Sequence, residues 1–338
     1  MSKLIVIMGI TGTQVRFNQA INDFLGWLTS ISFIQGSSVA DVFLQEPGWK
    51  IRGTTRDLNS SSSKYWERKG IEMVEADADD IESLTRAFRD AHAIFAVTDF
   101  WGPMYDQYSY GKLRLRQTIN EYCYELEIKR GQNIADAAAR IETLERFVFS
   151  SLPGIKSIAG GKYQHVYHFD AKAEVGRYIQ ESLPELQAKT SQLLLGEYAT
   201  NWRMWRLRRP NKQEDGSYVF LLPGDSKALT PFVVPRKDTG HFVRALVMLP
   251  PGKLLLGYGS LPSHEEYVRL WTQVLKVGDI KIKHVTIDEA AAFEGGPHAL
   301  ELAEQIASVL QLDLSSEYIL HPSQVRYHNC MFECIIVD

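Results

Sequence analysis

The chain has 338 residues, 45% hydrophobic, 23% charged and 11% aromatic, which is enough apolar material for a full core and excludes a disordered or low-complexity polypeptide. Its 37 basic and 41 acidic residues leave a formal charge of −4, so no basic surface of the kind that binds nucleic acid through phosphates is implied. Three cysteines with no C-x-x-C pair, and no apolar run approaching a membrane span, point to a cytoplasmic setting without a disulfide framework, structural zinc or membrane partner.

The first half alternates strand-like and helix-like segments, the pattern of a parallel sheet covered by helices. Residues 4–8 are a continuous apolar run suited to a strand buried on both faces, and further strands are expected at 50–55, 71–75, 93–97, 146–150 and 192–195. Helix patterns occupy 36–44, 81–90, 133–144 and 171–182, the last ending before Pro184. The composition changes near Trp202, where Arg203, Arg206, Arg208 and Arg209 lie beside Trp202 and Trp205 and turn signals follow. That basic cluster reads either as an anion contact or as a solvated face. Helices at 239–249, 264–277 and 298–310 and a strand at 253–256 complete the chain. The expected fold class is α/β: a Rossmann-type, doubly wound parallel sheet over residues 1–201, and a smaller α+β substrate or partner region over 202–338, interleaved with the first.

After the first strand comes Gly9-Ile10-Thr11-Gly12-Thr13-Gln14, glycines that let the backbone approach a pyrophosphate. A helix should open here, yet the apolar, charge-poor stretch from Val15 to Gln35 intervenes before Gly36 resumes a helix pattern. Without that stretch Gln14 joins Gly36, and the result is a G-x-x-G-x-x-G loop opening directly into a helix. The stretch is in frame, begins with a codon that contains a GT donor and ends with one that can supply an AG acceptor. It therefore reads as a retained intron, the alternative being a real inserted helix or loop. Residues 325–338 carry a weaker form of the same suspicion.

The second strand ends Thr54-Thr55-Arg56-Asp57, and the hydroxyls of Ser60 to Ser63 follow. An arginine there suits a 2′-phosphate, whereas an acidic residue holds a free ribose, so NADP is favoured over NAD despite Asp57. Asp77, after the third strand, either approaches an adenine or caps the next helix.

With the loop rejoined, the order of motifs resembles the NmrA-like family of atypical short-chain dehydrogenase/reductases. The matching pieces are the split glycine loop, Thr54 to Asp57, Asp77-Ala78-Asp79-Asp80, Val97-Thr98-Asp99-Phe100-Trp101, Gly131 with Asn133 to Ala138, Phe147 to Leu152, and His168-Phe169-Asp170-Ala171-Lys172. The resemblance implies that NADP sits on Gly9, Ile10, Thr11, Gly12, Thr13 and Gln14, on Arg56 and Ser60, on Asp77 and Ala78, and on Thr98, Asp99 and Phe100. It further implies contacts from Lys129, Lys172, Tyr198, Ala199, Thr200 and Asn201. The Val15 to Gln35 stretch is the departure that bears on every phosphate contact.

A typical short-chain reductase places a tyrosine four residues before its lysine, on one helical face, so that the ammonium activates the phenol as proton donor. Four residues before Lys172 this chain has His168, while Tyr167 and Tyr163 fall on other faces. His168 is either the acid, since imidazole titrates near neutrality, or a histidine packed against the pocket. Two functions follow. One is an NADP-dependent oxidoreductase that reduces a carbonyl or imine of a small metabolite, in secondary metabolism if the gene is fungal, with Lys172 and His168 catalytic. The other, implied by the resemblance, is a non-catalytic redox sensor that binds a regulatory protein partner, with a nuclear location open to it. Phe100, Trp101, Tyr105, Trp202 and Trp205 either wall an apolar substrate pocket or belong to the core.

Overall fold

The computed structural model describes residues 2–11, 31–310 and 321–324. Most of Val15 to Gln35, together with Gly12, Thr13, Gln14 and residues 325–338, lies outside the described residues. The strands are β1 (Lys3–Ile7), β2 (Trp49–Thr55), β3 (Glu72–Glu75), β4 (Ala93–Ala96), β5 (Arg146–Ser151), β6 (Thr190–Leu195), β7 (Glu197–Tyr198), β8 (Asn211–Lys212), β9 (Tyr218–Leu222), β10 (Phe232–Val233), β11 (Leu254–Gly257) and β12 (Lys281–His284). Seven of them form one sheet in the order β11-β6-β5-β4-β1-β2-β3, every pairing parallel. Ile5, Val6 and Ile7 of β1 are wholly buried, as a central strand covered by helices on both faces requires. The order reverses between β1 and β4, which is where doubly wound sheets hold ligands. The expected α/β, Rossmann-type fold is the one found.

Helices cover both faces. The helix Ile31–Phe43 packs against Pro235–Met248, with Gly240 N donating to Ser38 Oγ at 2.9 Å. On the other side Ile119–Ala139 packs against Tyr167–Ser182. Gly131 makes that approach possible, since a Cβ there would stand 2.3 Å from Val175 Cγ2. A second apolar cluster joins Phe100, Trp101 and Met104 to Trp205, Phe220, Val268 and Leu302, beneath the three-stranded sheet β12-β9-β8. Among the described residues no helix is long and apolar enough to cross a membrane.

Four helices begin earlier than the sequence pattern indicates, one of them Pro235–Met248, which opens four residues upstream with Pro235 in its first turn. Ile119–Ala139 begins fourteen residues before the expected start at Asn133, at a capping box in which Thr118 and Glu121 satisfy each other's backbone N–H groups. Tyr167–Ser182 has no cap of its own; its first turn is held instead by a carboxylate from Ala299–Val309, described below. The helix expected to open at Gly36 starts at Ile31, within the segment read as an insertion.

Candidate functional site

A pocket opens at the carboxyl ends of β4, β5 and β6, beside the reversal of strand order. Thr98 to Trp101 follow β4, Ser150 and Ser151 end β5 with Leu152 next, and Leu195 to Tyr198 close β6 and form β7. The helix Tyr167–Ser182 contributes His168, Phe169 and Lys172; Asn201 and Trp205 come from the following loop, Gln35 from Ile31–Phe43 and Gln305 from Ala299–Val309. The structure thus gathers Thr98, Asp99, Phe100, His168, Lys172, Tyr198 and Asn201 in one place. Phe100, Trp101 and Trp205 wall the pocket and also belong to the second core. Tyr105 instead contacts His298 Nδ1 at 3.0 Å, and Trp202 packs edge-on against Trp271.

Lys172 is buried, and its ammonium is ion-paired with Glu127 Oε1. It also donates to Thr98 Oγ1 at 2.8 Å and to Thr98 O at 3.3 Å, while Thr98 Oγ1 donates to Glu127 Oε1 at 2.6 Å. Glu127 lies one turn before Gly131 and Lys172 about one turn before Val175, so the glycine contact that joins the two helices also seats this pair. His168 accepts three aromatic neighbours, Phe100, Trp101 and Phe169, with ring centroids 5.7, 4.8 and 4.8 Å away. Its Nδ1 lies 2.6 Å from Glu301 Oε1. Tyr163 and Tyr167 do not line this pocket.

Four polar atoms of lining residues are buried with no hydrogen-bond partner among the described residues: Gln35 Oε1, Ser151 Oγ, Trp205 Nε1 and Gln305 Oε1. Gln35 donates through Nε2 to Tyr198 Oη at 2.6 Å, and burial pushes the Tyr198 phenol up. Glu197 faces Arg208 at 2.8 Å, both buried. Burial pushes the Glu197 carboxyl up and the Arg208 guanidinium down, as desolvation opposes either charge. Arg208 is therefore neither an anion contact nor part of a solvated face. Arg206 packs over Phe293, 3.9 Å from the ring centroid.

The remaining residues singled out in the sequence lie at neighbouring strand ends. Thr11 Oγ1 donates to Thr55 Oγ1 at 3.2 Å, and Ile10 O accepts from Trp66 Nε1 at 3.0 Å, so the described part of the glycine loop is tied to β2 and its helix. Gly9 has φ +70°. A Cβ on Gly36 would stand 2.5 Å from Gly9 C, the close strand-to-helix contact expected of the third glycine in a dinucleotide loop. The helix does not begin there, however. Its N-terminal turn lies five residues upstream, about 7.5 Å along the axis at 1.5 Å per residue, so the helix expected to resume at Gly36 starts before it.

Arg56 is exposed at the end of β2 with no ion pair among the described residues. Ser60 is turned inward, its hydroxyl capping Ser61–Arg68 and donating to Asp57 O at 2.9 Å. Asp77 accepts from Asp79 N at 2.9 Å, and Asp80 rather than Asp77 caps the next helix. Ala78 O accepts from Asn133 Nδ2 at 2.9 Å. Lys129 is exposed and does not line the pocket. Ala199 N bonds Val233 O at 2.8 Å, and neither Ala199 nor Thr200 lines the pocket.

Sequence reasoning missed Glu127, Glu301 and Gln305. The Thr118/Glu121 capping signal would have extended the helix through Glu127, but a charged side chain in a polar run carries no mark of its burial.

The sheet order, the Gly9 to Gly36 contact and a pocket at the strand ends define a dinucleotide-binding type of α/β protein. The chain belongs to the NmrA-like family, whose profile matches residues 34–277. It is 26% identical over 256 residues to an NmrA-like family domain-containing oxidoreductase, FrzB, of Cladobotryum sp., covering 71% of this chain and 70% of that protein. It is 28% identical over 148 residues to the oxidoreductase notA of Aspergillus sp. (strain MF297-2), where the match covers 44% of this chain and 39% of the relative. In fold it is similar to NmrA, a negative transcriptional regulator solved with NADP, at TM-score 0.59 and 17% identity over 84% of this chain and 74% of that one. It is likewise similar to an isoflavone reductase, at TM-score 0.62 and 13% identity over 96% and 94% of the two chains.

Proposed function

We propose that the protein is a nicotinamide-dinucleotide-dependent oxidoreductase that prefers NADP and reduces a carbonyl or imine of a small, largely apolar metabolite. The observation that carries this reading is the meeting, in one aromatic-walled pocket at the strand ends, of a buried lysine and a buried histidine one helical turn apart. Support comes from the relatives named as oxidoreductases in Cladobotryum and Aspergillus and from the NADP complex of NmrA; an NAD complex of NmrA is also known. A fungal secondary metabolite is the substrate class this reading takes.

The residues present fit such a cofactor: at its nicotinamide end Lys172 and Thr98 would hold the ribose and Asn201 and Tyr198 the carboxamide side, and at its adenosine end Arg56 would hold a 2′-phosphate. When bound, the dinucleotide supplies the hydride. The chain supplies the rest. Lys172, paired with Glu127, would orient a ribose hydroxyl by donating to it in place of its 3.3 Å hydrogen bond to Thr98 O. Ser150 and Ser151 present hydroxyls at the end of β5, and His168 carries the proton that the heteroatom of a reduced double bond must receive. Phe100, Trp101 and Trp205 keep water from the reacting carbon.

The test is NADPH and NADH titration calorimetry together with NADPH oxidation against a panel of aromatic carbonyls and cyclic imines. Tight NADPH binding with turnover supports the reading. Binding without turnover across the panel replaces it with the redox-sensor alternative, and absence of binding in any form of the chain removes both.

A further inference from the structure

We propose that Glu301 is a positioning residue that fixes the tautomer of His168, so that the ring presents an unprotonated Nε2 as its neutral form. Glu301 is 1% exposed and belongs to the helix Ala299–Val309, outside the stretch 34–277 that matches the family. Its Oε1 receives His168 N at 2.8 Å and His168 Nδ1 at 2.6 Å; its Oε2 receives Asn120 Nδ2 at 2.8 Å. A backbone N–H and an amide NH₂ can only donate, so both carboxylate oxygens serve as acceptors. Nδ1 then has to be the protonated nitrogen, which leaves Nε2 with its lone pair and without a partner among the described residues.

The ring has no freedom to exchange the two nitrogens. Phe100, Trp101 and Phe169 pack around it, and the same carboxylate holds its backbone. Glu301 sits at the N-terminus of Tyr167–Ser182, where a negative charge is favoured by the helix dipole, so one side chain both starts the helix and orients its second residue. The consequence is directional. Neutral His168 can accept a proton at Nε2, and only the doubly protonated ring can donate one from Nε2 with Glu301 balancing the charge.

This inference rests on His168 as the proton carrier of the proposed oxidoreductase, but its first readout needs no activity. Long-range proton–nitrogen NMR on the full chain labelled with 15N-histidine reports which ring nitrogen is protonated in neutral His168. The expected wild-type spectrum has a protonated Nδ1 and a bare Nε2. Glu301→Leu, with no acceptor, is expected to give a mixture of tautomers, whereas Glu301→Gln, which keeps a carbonyl oxygen, retains Nδ1–H. A bare Nδ1 in the wild type, or a Glu301→Leu ring unchanged from wild type, overturns the proposal. With phenanthrenequinone as probe, Glu301→Leu is expected to lose on the order of a hundredfold in kcat with NADPH affinity unchanged; a parallel loss of NADPH affinity would mark a merely structural role. Should Glu301→Leu fail to fold, the wild-type and Glu301→Gln spectra still decide the tautomer. If the wild type binds no NADPH, the oxidoreductase reading falls while the tautomer remains decided by the spectrum.

Discussion

Lys172 and Glu127 form a buried ion pair between two helices, and Thr98 bridges both members through its hydroxyl. The pair sits in the wall of the pocket without closing it. Removing one partner leaves the other charge buried and uncompensated, which costs about 3–5 kcal/mol. Lys172→Met should therefore unfold at markedly lower denaturant concentration and lose NADPH binding. Adding Glu127→Leu should restore most of the stability without restoring binding. Urea unfolding and calorimetry on the two variants check this; recovery of binding in the double variant would remove Lys172 from the cofactor site.

Arg56 lies exposed at the end of β2 with nothing to hold it among the described residues, whereas Ser60 spends its hydroxyl on the next helix. Discrimination for a 2′-phosphate thus falls on Arg56 alone of the two. A charge-assisted hydrogen bond contributes about 1.5–3 kcal/mol, so Arg56→Ser should weaken NADPH binding by about tenfold or more and leave NADH binding unaltered. Ser60→Ala should lower stability by about 1 kcal/mol through the lost cap and leave the NADPH to NADH ratio in place. Equal weakening of both nucleotides by Arg56→Ser would refute its role.

The sheet could be read from the chain because β1, β4, β11 and the end of β6 are apolar runs too short for a helix, and the loops between are punctuated. Part of the pocket lining was legible where a motif repeats a known order: Thr98 to Phe100, His168 and Lys172, singled out from the sequence, line one pocket at the strand ends. What the sequence concealed are the residues that reach those positions from afar. Glu127 is buried by the Gly131 to Val175 contact and Glu301 by its packing onto a helix more than a hundred residues upstream. Both are charges on otherwise ordinary helices, and only tertiary packing distinguishes them from solvated ones. Arg208 shows the converse, a member of a basic cluster that folding turns inward onto Glu197.

His264 is 3% exposed in the second core, and burial, aided by the charge of Arg208, lowers its pKa from 6.5 to about 4. In the unfolded chain it takes up a proton near 6.5, while the folded chain resists until about 4. The unfolded state therefore binds more protons between those limits, and stability falls as the pH drops through that window. The full loss attributable to this residue is about 3 kcal/mol, at 1.36 kcal/mol for each pH unit of separation. Urea unfolding of wild type and His264→Gln at pH values across the window isolates the effect from other groups. The variant is less stable at neutral pH, and the gap narrows toward pH 4; curves that stay parallel would contradict this.

Gly36 touches Gly9 as the third glycine of a phosphate loop does, yet the helix carrying it runs on to Ile31. Four unpaired N–H groups belong to the first turn of a helix, and an anion is attracted by that turn and not by the middle. Moving the turn upstream takes the donors away from the strand end. Deleting Val15 to Gln35 returns the helix start to Gly36 and places Gln14 immediately before it, where Gln35 now stands. The donor of the Gln35 to Tyr198 hydrogen bond is thereby replaced in kind, so the pocket wall should survive the deletion. The shortened chain is expected to bind NADPH at least about tenfold more tightly than the chain as written, a difference of about 1.4 kcal/mol. Calorimetry on the two proteins decides the matter, and equal affinities would mean that the overrun helix leaves the phosphate site intact.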